Sequence, residues 1–263
     1  MAADWDPAQY ERFKEQRAQP FWDLVDLVRT DGPGFRRCVD LGCGTGELTA
    51  AVAKRLRCAE AVGVDSSPSM LAAAQGHAGT NMRFEHGEIA GWTASGDHDL
   101  VLSNAALQWV ADHPATLARW AAALAPGGQL AVQMPANPDH PSHQSSVAVA
   151  HTEPFVSAMG GEPPPDPVDV NVLQPDQYSE ILFGLGLTEQ HVRLQVYPHV
   201  LPSSAHVVEW TRGTSLTRFF ASLPDALHEP FVEAYRKELL SRIGESEPYF
   251  FAFKRILMWG RRP

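Results

Sequence analysis

The sequence predicts an α/β protein, a doubly wound sheet of seven strands with a helical cap. Between residues 36 and 134, short apolar segments alternate with segments of helical periodicity, which is typical of βαβ units with a parallel sheet. A glycine-rich turn, residues 42–46, joins the first of these strands to the first of these helices. The closing run, residues 249–259, is apolar on both faces, as expected for a strand buried inside a sheet.

Composition and charge exclude several classes of protein. The 263 residues, 44% of them hydrophobic, suffice for one large domain with a buried core. A formal net charge of −10 argues against binding nucleic acid or an anionic membrane by bulk electrostatics. The sequence has no apolar stretch of about 18 residues and no signal-peptide pattern at its charged N-terminus. Cys38, Cys43 and Cys58 form no CxxC pair, so we expect a reduced, cytoplasmic protein.

The N-terminal segment, residues 1–31, is predicted to be a helical lid. Asp6 suits a helix N-cap, and helical spacing is shared by Tyr10, Phe13 and Arg17. Because proline removes a helix hydrogen bond, Pro20 predicts a kink or a division into two short helices.

The following segment, residues 32–134, is predicted to be the ligand-binding core of the sheet. Its predicted strands are residues 38–41, 61–65, 82–85, 100–103 and 129–134. Its predicted helices are residues 47–56, 68–75 and 114–124. The second helix begins at Pro68 with Ser66 or Ser67 as its cap. Right-handed crossovers between these elements give a parallel sheet.

The remainder of the chain, residues 135–263, differs from the preceding segment in composition and in the pattern of predicted elements. Residues 135–175 hold nine of the 21 prolines, so residues 135–190 are interpreted as a proline-rich helical insertion. The helices expected there lie near residues 142–158 and 177–183. Residues 191–263 are interpreted as edge strands with cap helices: a strand at 192–200, helices near 204–222 and 225–242, and the closing strand. We expect all four segments to belong to one domain.

The glycine turn has the features of a nucleoside-binding site. Glycines allow close backbone approach to a ligand, and the following helix offers free N–H groups. Glu47 stands where a dinucleotide-binding fingerprint has its third glycine, which disfavours a pyrophosphate. A buried carboxylate at Asp40 suits a cationic amino group, and Asp65 can accept two hydrogen bonds from a ribose diol. These features indicate S-adenosylmethionine; the alternative is a tight turn with Asp65 as a helix N-cap.

Five segments resemble, in order and spacing, the motifs of class I S-adenosylmethionine-dependent methyltransferases. They are VDLGCGTG, VGVDSSPSM, HGEIAGW, DLVLSNAALQW and LAPGGQLAVQMP. Four outer segments resemble the trans-aconitate methyltransferase family: WDPAQYERFKEQRAQPFWDL, QMPANPDHPSH, EWTRGTSLTRFF and RRP. The resemblance implies a Rossmann-like sheet whose last two strands form an antiparallel edge pair. It also implies methyl esterification of a small polycarboxylic acid, with trans-aconitate as the leading candidate.

The resemblance also implies which residues contact the cofactor. Those expected at the methionine moiety and its flanking turns are Asp40, Gly42, Cys43, Gly44, Asn104 and Leu107. Those expected at the ribose and adenine are Asp65, Ser66, Met70, Glu88 and Ile89. The family usually has an Asp where Glu88 stands, and Met70 and Leu107 also suit ordinary core positions. No metal is expected, because no metal-ligand spacing is present.

The cations of the chain favour a carboxylate acceptor. Residues 206–263 hold nine Arg or Lys against seven acidic residues, whereas residues 1–205 hold 12 against 24. A carboxylate is ionised at neutral pH and needs no general base, so positioning supplies most of the rate. The candidates for positioning the substrate are Tyr10, Arg17, Arg212, Lys254 and Arg255. Surface charges or structural ion pairs are the alternative, favoured for Lys254, Arg255 and Arg218.

Other functions stay open at this point. A malonyl-acyl-carrier-protein carboxyl methyltransferase is disfavoured because its acidic partner would prefer a basic docking face. A small-molecule O- or N-methyltransferase could use His140 or His143 as a base, although a surface loop is the favoured interpretation of this pair. Nucleic-acid methylation is disfavoured by the acidic net charge. It is also disfavoured because residues 103–106, after the fourth predicted strand, are Ser-Asn-Ala-Ala and not an Asn/Asp-Pro-Pro-Tyr/Phe run. A cofactor-binding regulator without catalysis is the non-enzymatic alternative. The oligomeric state is not predicted.

Overall fold

The structure is a computed structural model that describes the backbone of residues 14–263 and the side chains of residues 18–263. The predictions for Asp6, Tyr10 and Phe13, and for the side chain of Arg17, lie outside the described residues. The first described helix, α1 (Lys14–Val25), continues through Pro20 as one element. The expected division into two short helices at Pro20 is therefore not found.

The seven strands form one mixed sheet. Their bounds are β1 (Arg37–Leu41), β2 (Glu60–Asp65), β3 (Met82–His86), β4 (His98–Asn104), β5 (Leu124–Pro135), β6 (Glu189–Leu201) and β7 (Tyr249–Arg261). The strand order is β3-β2-β1-β4-β5-β7-β6. All pairs from β3 to β5 are parallel, and β7 is antiparallel to β5. The predicted doubly wound α/β sheet is confirmed.

The remaining helices agree with the predictions near the glycine turn and differ farther along the chain. They are α2 (Glu47–Arg55), α3 (Pro68–Ala74), α4 (His113–Ala122), α5 (Pro141–Ala150), α6 (Phe155–Ala158), α7 (Pro167–Asn171), α8 (Pro175–Gly184), α9 (His206–Arg212), α10 (Thr217–Phe220) and α11 (His228–Ile243). The helices expected at 142–158 and 204–222 are each divided in two. The second division follows Gly213, which ends α9. Across the described helices, none is long and apolar enough to cross a bilayer.

Local sequence explains where the elements near the site begin. Ser67 caps α3 by accepting a hydrogen bond from the Met70 amide at 3.3 Å, which selects it over Ser66 as the cap. β5 begins five residues earlier than predicted, because His98 pairs with Leu124 before the register shifts to Leu100 and Gln129.

The described residues form two compact units. The sheet unit comprises Arg17–Ala136, Asn171–Gln195 and Lys254–Pro263. The helical unit comprises residues 14–16, Asn137–Val170 and Val196–Phe253. The core of the sheet unit packs against the central strands, whose near-continuous apolar runs fit a sheet covered on both faces. Trp120 of α4 and Tyr178 of α8 are its largest fully buried side chains apart from Trp259.

Candidate functional site

The glycine turn follows β1 and is held against the end of β2. The amides of Gly42 and Cys43 both donate to the Val64 carbonyl, at 2.8 and 3.1 Å. Gly42 and Gly44 have positive φ angles of 83° and 55°. A Cβ at Gly42 would lie 2.2 Å from the Cβ of Ala106, whereas a Cβ at Gly44 would meet nothing within 4 Å. The turn is therefore closed on the side of Ala106 and open at Gly44.

Asp65 joins the glycine turn to α3. Its Oδ2 accepts a hydrogen bond from the Gly44 amide at 2.8 Å, and its Oδ1 accepts one from the Ser67 amide at 2.9 Å. Each carboxylate oxygen has a further lone pair, so this half-exposed side chain can still accept hydroxyl donors from a ligand. The carboxylate thus has a structural role and keeps acceptor capacity for the binding role that the sequence predicts.

Asp40 is a buried carboxylate beside the turn. It is 5% exposed, and its Oδ2 accepts a hydrogen bond from the Thr49 hydroxyl at 2.6 Å. Its Oδ1 is buried and has no hydrogen-bond partner among the described residues. Burial, opposed by the Thr49 hydrogen bond, raises the pKa of Asp40 to about 7. A cationic ligand group at Oδ1 would satisfy this oxygen and favour the ionised form.

The end of β4 carries a hydrogen-bond chain that includes two predicted site residues. Gln133 of β5 donates from Nε2 to Oδ1 of Asn104 at 2.5 Å. Arg255 of β7 donates from Nη1 to Oε1 of Gln133 at 3.1 Å. Arg255 is only 7% exposed, so it is a buried cation within the sheet unit. Gln133 was not identified from the sequence, because its side of β5 cannot be read without the strand order.

The 3₁₀ turn after β4, Leu107–Trp109, is held by buried polar side chains that the sequence analysis missed. Nε2 of His113 lies 2.9 Å from the Leu107 carbonyl, and Nδ1 of His113 lies 2.6 Å from the Tyr178 hydroxyl. Asn171 donates to the Gln108 carbonyl at 2.9 Å. A histidine one residue after the helix cap Asp112 is a weak signal, and its partner at Tyr178 is 65 residues away.

The remaining predicted cofactor residues lie at the ends of β2 and β3 or just beyond them. Met70 is 5% exposed, and the carbonyl of Ser66 accepts a hydrogen bond from His86 at 3.1 Å. Glu88 is exposed, while Ile89 packs against the core, with its carbonyl bonded to the Trp120 indole at 3.1 Å.

Comparison with known proteins identifies the family. A methyltransferase-domain family model matches residues 38–128, which include the glycine turn. A trans-aconitate 2-methyltransferase of Deinococcus radiodurans is 43% identical, over 98% of this chain and 98% of the relative. One from Variovorax paradoxus is 37% identical, over 98% of this chain and 96% of the relative. This chain belongs to the trans-aconitate 2-methyltransferase family.

Solved structures agree with the fold. The YcgJ protein of Bacillus subtilis matches with a TM-score of 0.61 at 15% identity, covering 93% of this chain and 98% of its own. A phosphoethanolamine N-methyltransferase 2 of Haemonchus contortus, solved with S-adenosylmethionine, matches with a TM-score of 0.55 at 16% identity. That match covers 97% of this chain and 59% of the other. At these identities the likeness shows the fold alone.

As a member of the trans-aconitate 2-methyltransferase family, this protein is an S-adenosylmethionine-dependent methyltransferase, and the residues at the glycine turn fit that cofactor. The buried Oδ1 of Asp40 is a suitable acceptor for an ammonium group. The open side of Gly44 leaves room beside the turn, and Asp65 retains acceptor capacity for a ribose diol. Among the described residues, no cluster of His, Cys, Asp or Glu could hold a metal ion.

The cations predicted for the substrate are divided between the two units. In the sheet unit, Arg255 is buried and Lys254 is half-buried, with its carbonyl bonded to the Ala136 amide at 3.0 Å. In the helical unit, Arg212 forms an ion pair with the exposed Glu229. Tyr10 and the side chain of Arg17 are outside the described part of this family member.

The interpretation of His140 and His143 as a surface loop was wrong. His140 is the N-cap of α5 and accepts a hydrogen bond from the Ser142 amide at 3.1 Å. His143 lies within α5, is 8% exposed and bonds to Asp166 at 2.5 Å. The proline that follows His140 begins a helix rather than extending a loop, because proline suits the first helical position.

Proposed function

We propose that this protein transfers the methyl group of S-adenosylmethionine to one carboxylate of trans-aconitate and so forms a methyl ester. The observation that carries the choice of acceptor is the 43% identity, over 98% of both chains, to a trans-aconitate 2-methyltransferase. The acceptor is a small anion, so the proposal needs no nucleic-acid or membrane partner.

The chemistry of a carboxylate acceptor suits a site without a general base. The cofactor, when bound, supplies a methyl group activated by a sulfonium centre. A carboxylate with an ordinary pKa near 4 is already ionised at neutral pH, so no side chain needs to remove a proton. The side chains instead hold the two reactants in line and exclude water. In this proposal Asp40 binds the cofactor's ammonium group, and Asp65 binds its ribose hydroxyls.

The side chains proposed to position the substrate are Tyr10, Arg17, Arg212, Lys254 and Arg255. Arg255 has the strongest support, because its guanidinium is buried and bonds through Gln133 to Asn104. A buried guanidinium contributes more to recognising an anion than an exposed one does, since water screens it less. The free, buried thiols of Cys38, Cys43 and Cys58 support a reducing location, so we propose that the reaction takes place in the cytoplasm.

A methyl-transfer assay tests this function. The protein is incubated with methyl-labelled S-adenosylmethionine and, separately, trans-aconitate, cis-aconitate, isocitrate and malonyl carrier protein. We expect the highest kcat/KM with trans-aconitate and a product that base hydrolyses, as an ester requires. Preference for malonyl carrier protein would contradict the proposed acceptor. A base-stable product would contradict esterification and support a hydroxyl or amine acceptor. Cofactor binding without transfer to any of these compounds would support the non-catalytic alternative.

A further inference from the structure

The helical unit contains three ionisable side chains that are buried together. His143 lies on α5, Asp166 directly precedes α7, and Arg218 lies on α10. Their side chains are 10%, 4% and 6% exposed, respectively. Nδ1 of His143 lies 2.5 Å from Oδ2 of Asp166, and Nη2 of Arg218 lies 3.6 Å from the same oxygen. One carboxylate is therefore shared between an imidazole and a guanidinium.

The environment of Asp166 keeps it ionised. Burial by itself would raise the pKa of this carboxyl, but the hydrogen bond and charge of His143 and the charge of Arg218 lower it to about 2. Its second oxygen, Oδ1, accepts a hydrogen bond from the Val168 amide at 2.9 Å. An ionised carboxylate only accepts hydrogen bonds, so Nδ1 of His143 carries the proton and donates it.

One edge of the Arg218 guanidinium is left with little to bind. Nη1 donates to the Ser215 carbonyl at 2.8 Å, whereas Nη2 reaches the Ser146 hydroxyl only at 3.3 Å. Nε is buried and has no hydrogen-bond partner among the described residues. The ring of Phe219 lies 4.2 Å from the guanidinium carbon. Nε and Nη2 form the edge through which arginine binds a planar carboxylate with two parallel hydrogen bonds.

Two serine hydroxyls next to this group in the chain are also unsatisfied. Oγ of Ser145 and Oγ of Ser215 are buried and have no partner in the described part of the chain. Ser146, the neighbour of Ser145, contacts Arg218 through its hydroxyl, and Ser215 contacts Arg218 through its own carbonyl. Buried polar groups without partners are rare in native proteins and call for an explanation such as a missing ligand.

The other described arginines of the helical unit are different. Arg212, Arg236 and Arg242 are each about one-third exposed and lie beside glutamates that are at least as exposed. Exposed pairs of this kind need no further partner, since water solvates both charges. Arg218 instead is removed from water and shares its single carboxylate partner with His143. A second anion would complete its hydrogen bonding and compensate its desolvation.

We propose that Arg218 binds a carboxylate of the acceptor that is not methylated, through Nε and Nη2, and that Asp166 and His143 position its guanidinium. The inference rests on the proposed function, because it assumes an acceptor with more than one carboxylate. Arg218 is then a substrate-binding residue that selects a polycarboxylate. Asp166 and His143 are positioning residues, since they act through Arg218.

The wild-type protein gives the first test. Steady-state kinetics compare trans-aconitate with dicarboxylic acids that each lack one of its three carboxylates. We expect at least one of these acids to be methylated with a kcat/KM about 100-fold below that of trans-aconitate, as loss of a buried charged partner predicts. If every dicarboxylate is as good a substrate as trans-aconitate, the inference is wrong, whatever any variant does. If no acid is methylated at all, the proposed function fails instead.

Two variants, Arg218→Ala and Arg218→Lys, test whether Arg218 binds this carboxylate. Arg218→Ala should lose about 100-fold in kcat/KM for trans-aconitate. Arg218→Lys should recover only part of this loss, because an ammonium cannot make the paired, planar contact. For the dicarboxylate that lacks the bound group, we expect the variants to match the wild type within about threefold. Methylguanidinium should partly restore the activity of Arg218→Ala. Arg236→Ala is the matched control on the surface of the same unit and should keep the wild-type preference.

Asp166→Asn tests the positioning role. We expect a raised KM for trans-aconitate with kcat largely kept, and unchanged cofactor affinity by calorimetry. A purely structural cluster gives the opposite result: lower thermal stability, unchanged KM, and equal losses for all acceptors in the Arg218 variants. That result would overturn the assignment of Arg218 while leaving the proposed function intact.

Discussion

The hydroxyl oxygen of Tyr178 lies 2.6 Å from Nδ1 of His113, and this contact fixes the protonation of both side chains. The Leu107 carbonyl can only accept, so Nε2 of His113 carries a proton. Burial lowers the pKa of His113 and keeps the ring neutral, so Nδ1 must accept. Tyr178 therefore donates to His113, which is a nearer and stronger acceptor than Sδ of Met134 at 3.4 Å, and accepts from the Leu173 amide, which lies at 3.0 Å. The turn after β4 is thereby tied to the segment before α8.

Tyr178→Phe should destabilise the protein and weaken cofactor binding. The change leaves Nδ1 of His113 without a donor and the Leu173 amide without an acceptor, and each such loss costs about 1–3 kcal/mol. The Leu107 turn loses its support, so the KM for the cofactor should rise. Urea denaturation gives the free energy of unfolding. Tyr249→Phe is the control, because the described residues include no side-chain hydrogen bond to this half-buried tyrosine. Equal stability of the two variants would contradict the argument.

Asp65→Ala should reduce cofactor affinity by one to two decades. The variant loses the proposed acceptor of the ribose diol, and a hydrogen bond to a charged group contributes about 1.5–3 kcal/mol. It also leaves the Gly44 amide without its acceptor, so the glycine turn loses one of the hydrogen bonds that hold it in place. Isothermal calorimetry measures the affinity directly.

Asp112→Ala is the matched control for Asp65→Ala. Asp112 also accepts a hydrogen bond from a backbone amide at a helix start, that of Ala115 at 3.1 Å, but it is not among the predicted cofactor residues. This control should lower stability and leave cofactor affinity unchanged. If both variants bind the cofactor like the wild type, the assignment of Asp65 is wrong.

Cofactor affinity should rise with pH up to about 7, because Asp40 must be ionised to bind an ammonium group. The pKa of Asp40 is raised from 3.8 to about 7 in the folded protein, so the ligand-free fold holds a proton that the unfolded chain releases. Without cofactor, this contribution to stability is complete below about pH 3.8 and is lost as the pH rises through 7. Calorimetry between about pH 5.5 and 6.5 stays at least one unit below the pKa of the cofactor's own amino group, near 7.7–8.0.

Asp40→Asn gives the control for this pH dependence. The variant should bind the cofactor weakly, with an affinity that is flat across the same range, because no carboxylate is left to titrate at this position. An unchanged slope in the variant would assign the titration to another group.

Arg212→Ala should lower kcat/KM for trans-aconitate if the Arg212 guanidinium binds the substrate. The lower kcat/KM should correspond to a loss of about 2–4 kcal/mol in transition-state stabilisation. Cofactor affinity should stay constant, and Arg212→Lys should rescue only in part, because an ammonium cannot form the planar contact. Glu229→Gln is the control: it breaks the same ion pair and should leave kcat/KM unchanged or higher. Equal kinetics of Arg212→Ala and the wild type would make Arg212 a surface arginine.

The sequence predicts the sheet and the cofactor loop well because their signals are local. Glycines at positions of positive φ, a carboxylate at the end of β2 and a proline at the start of α3 each act within a few residues. The helical unit is less predictable, because its organisation depends on distant contacts. His143 meets Asp166 across 23 residues, and Arg218 meets Ser146 across 72. No sequence periodicity indicates such pairs, so His143 was wrongly placed in a surface loop. For Arg218 the sequence left a surface charge or a structural ion pair open, and the structure shows the ion pair, with Asp166.

The close approach of Gly42 and Ala106 restricts how this sequence can change. A methyl group at Gly42 would overlap the side chain of Ala106, which lies on the loop after β4. In a library that randomises both positions, alanine at 42 should survive only together with glycine at 106. Even that combination keeps the penalty of a φ of 83°, so it should be recovered at reduced frequency. Substitutions at positions 42 and 106 should therefore be coupled during evolution, although 64 positions separate them in the chain.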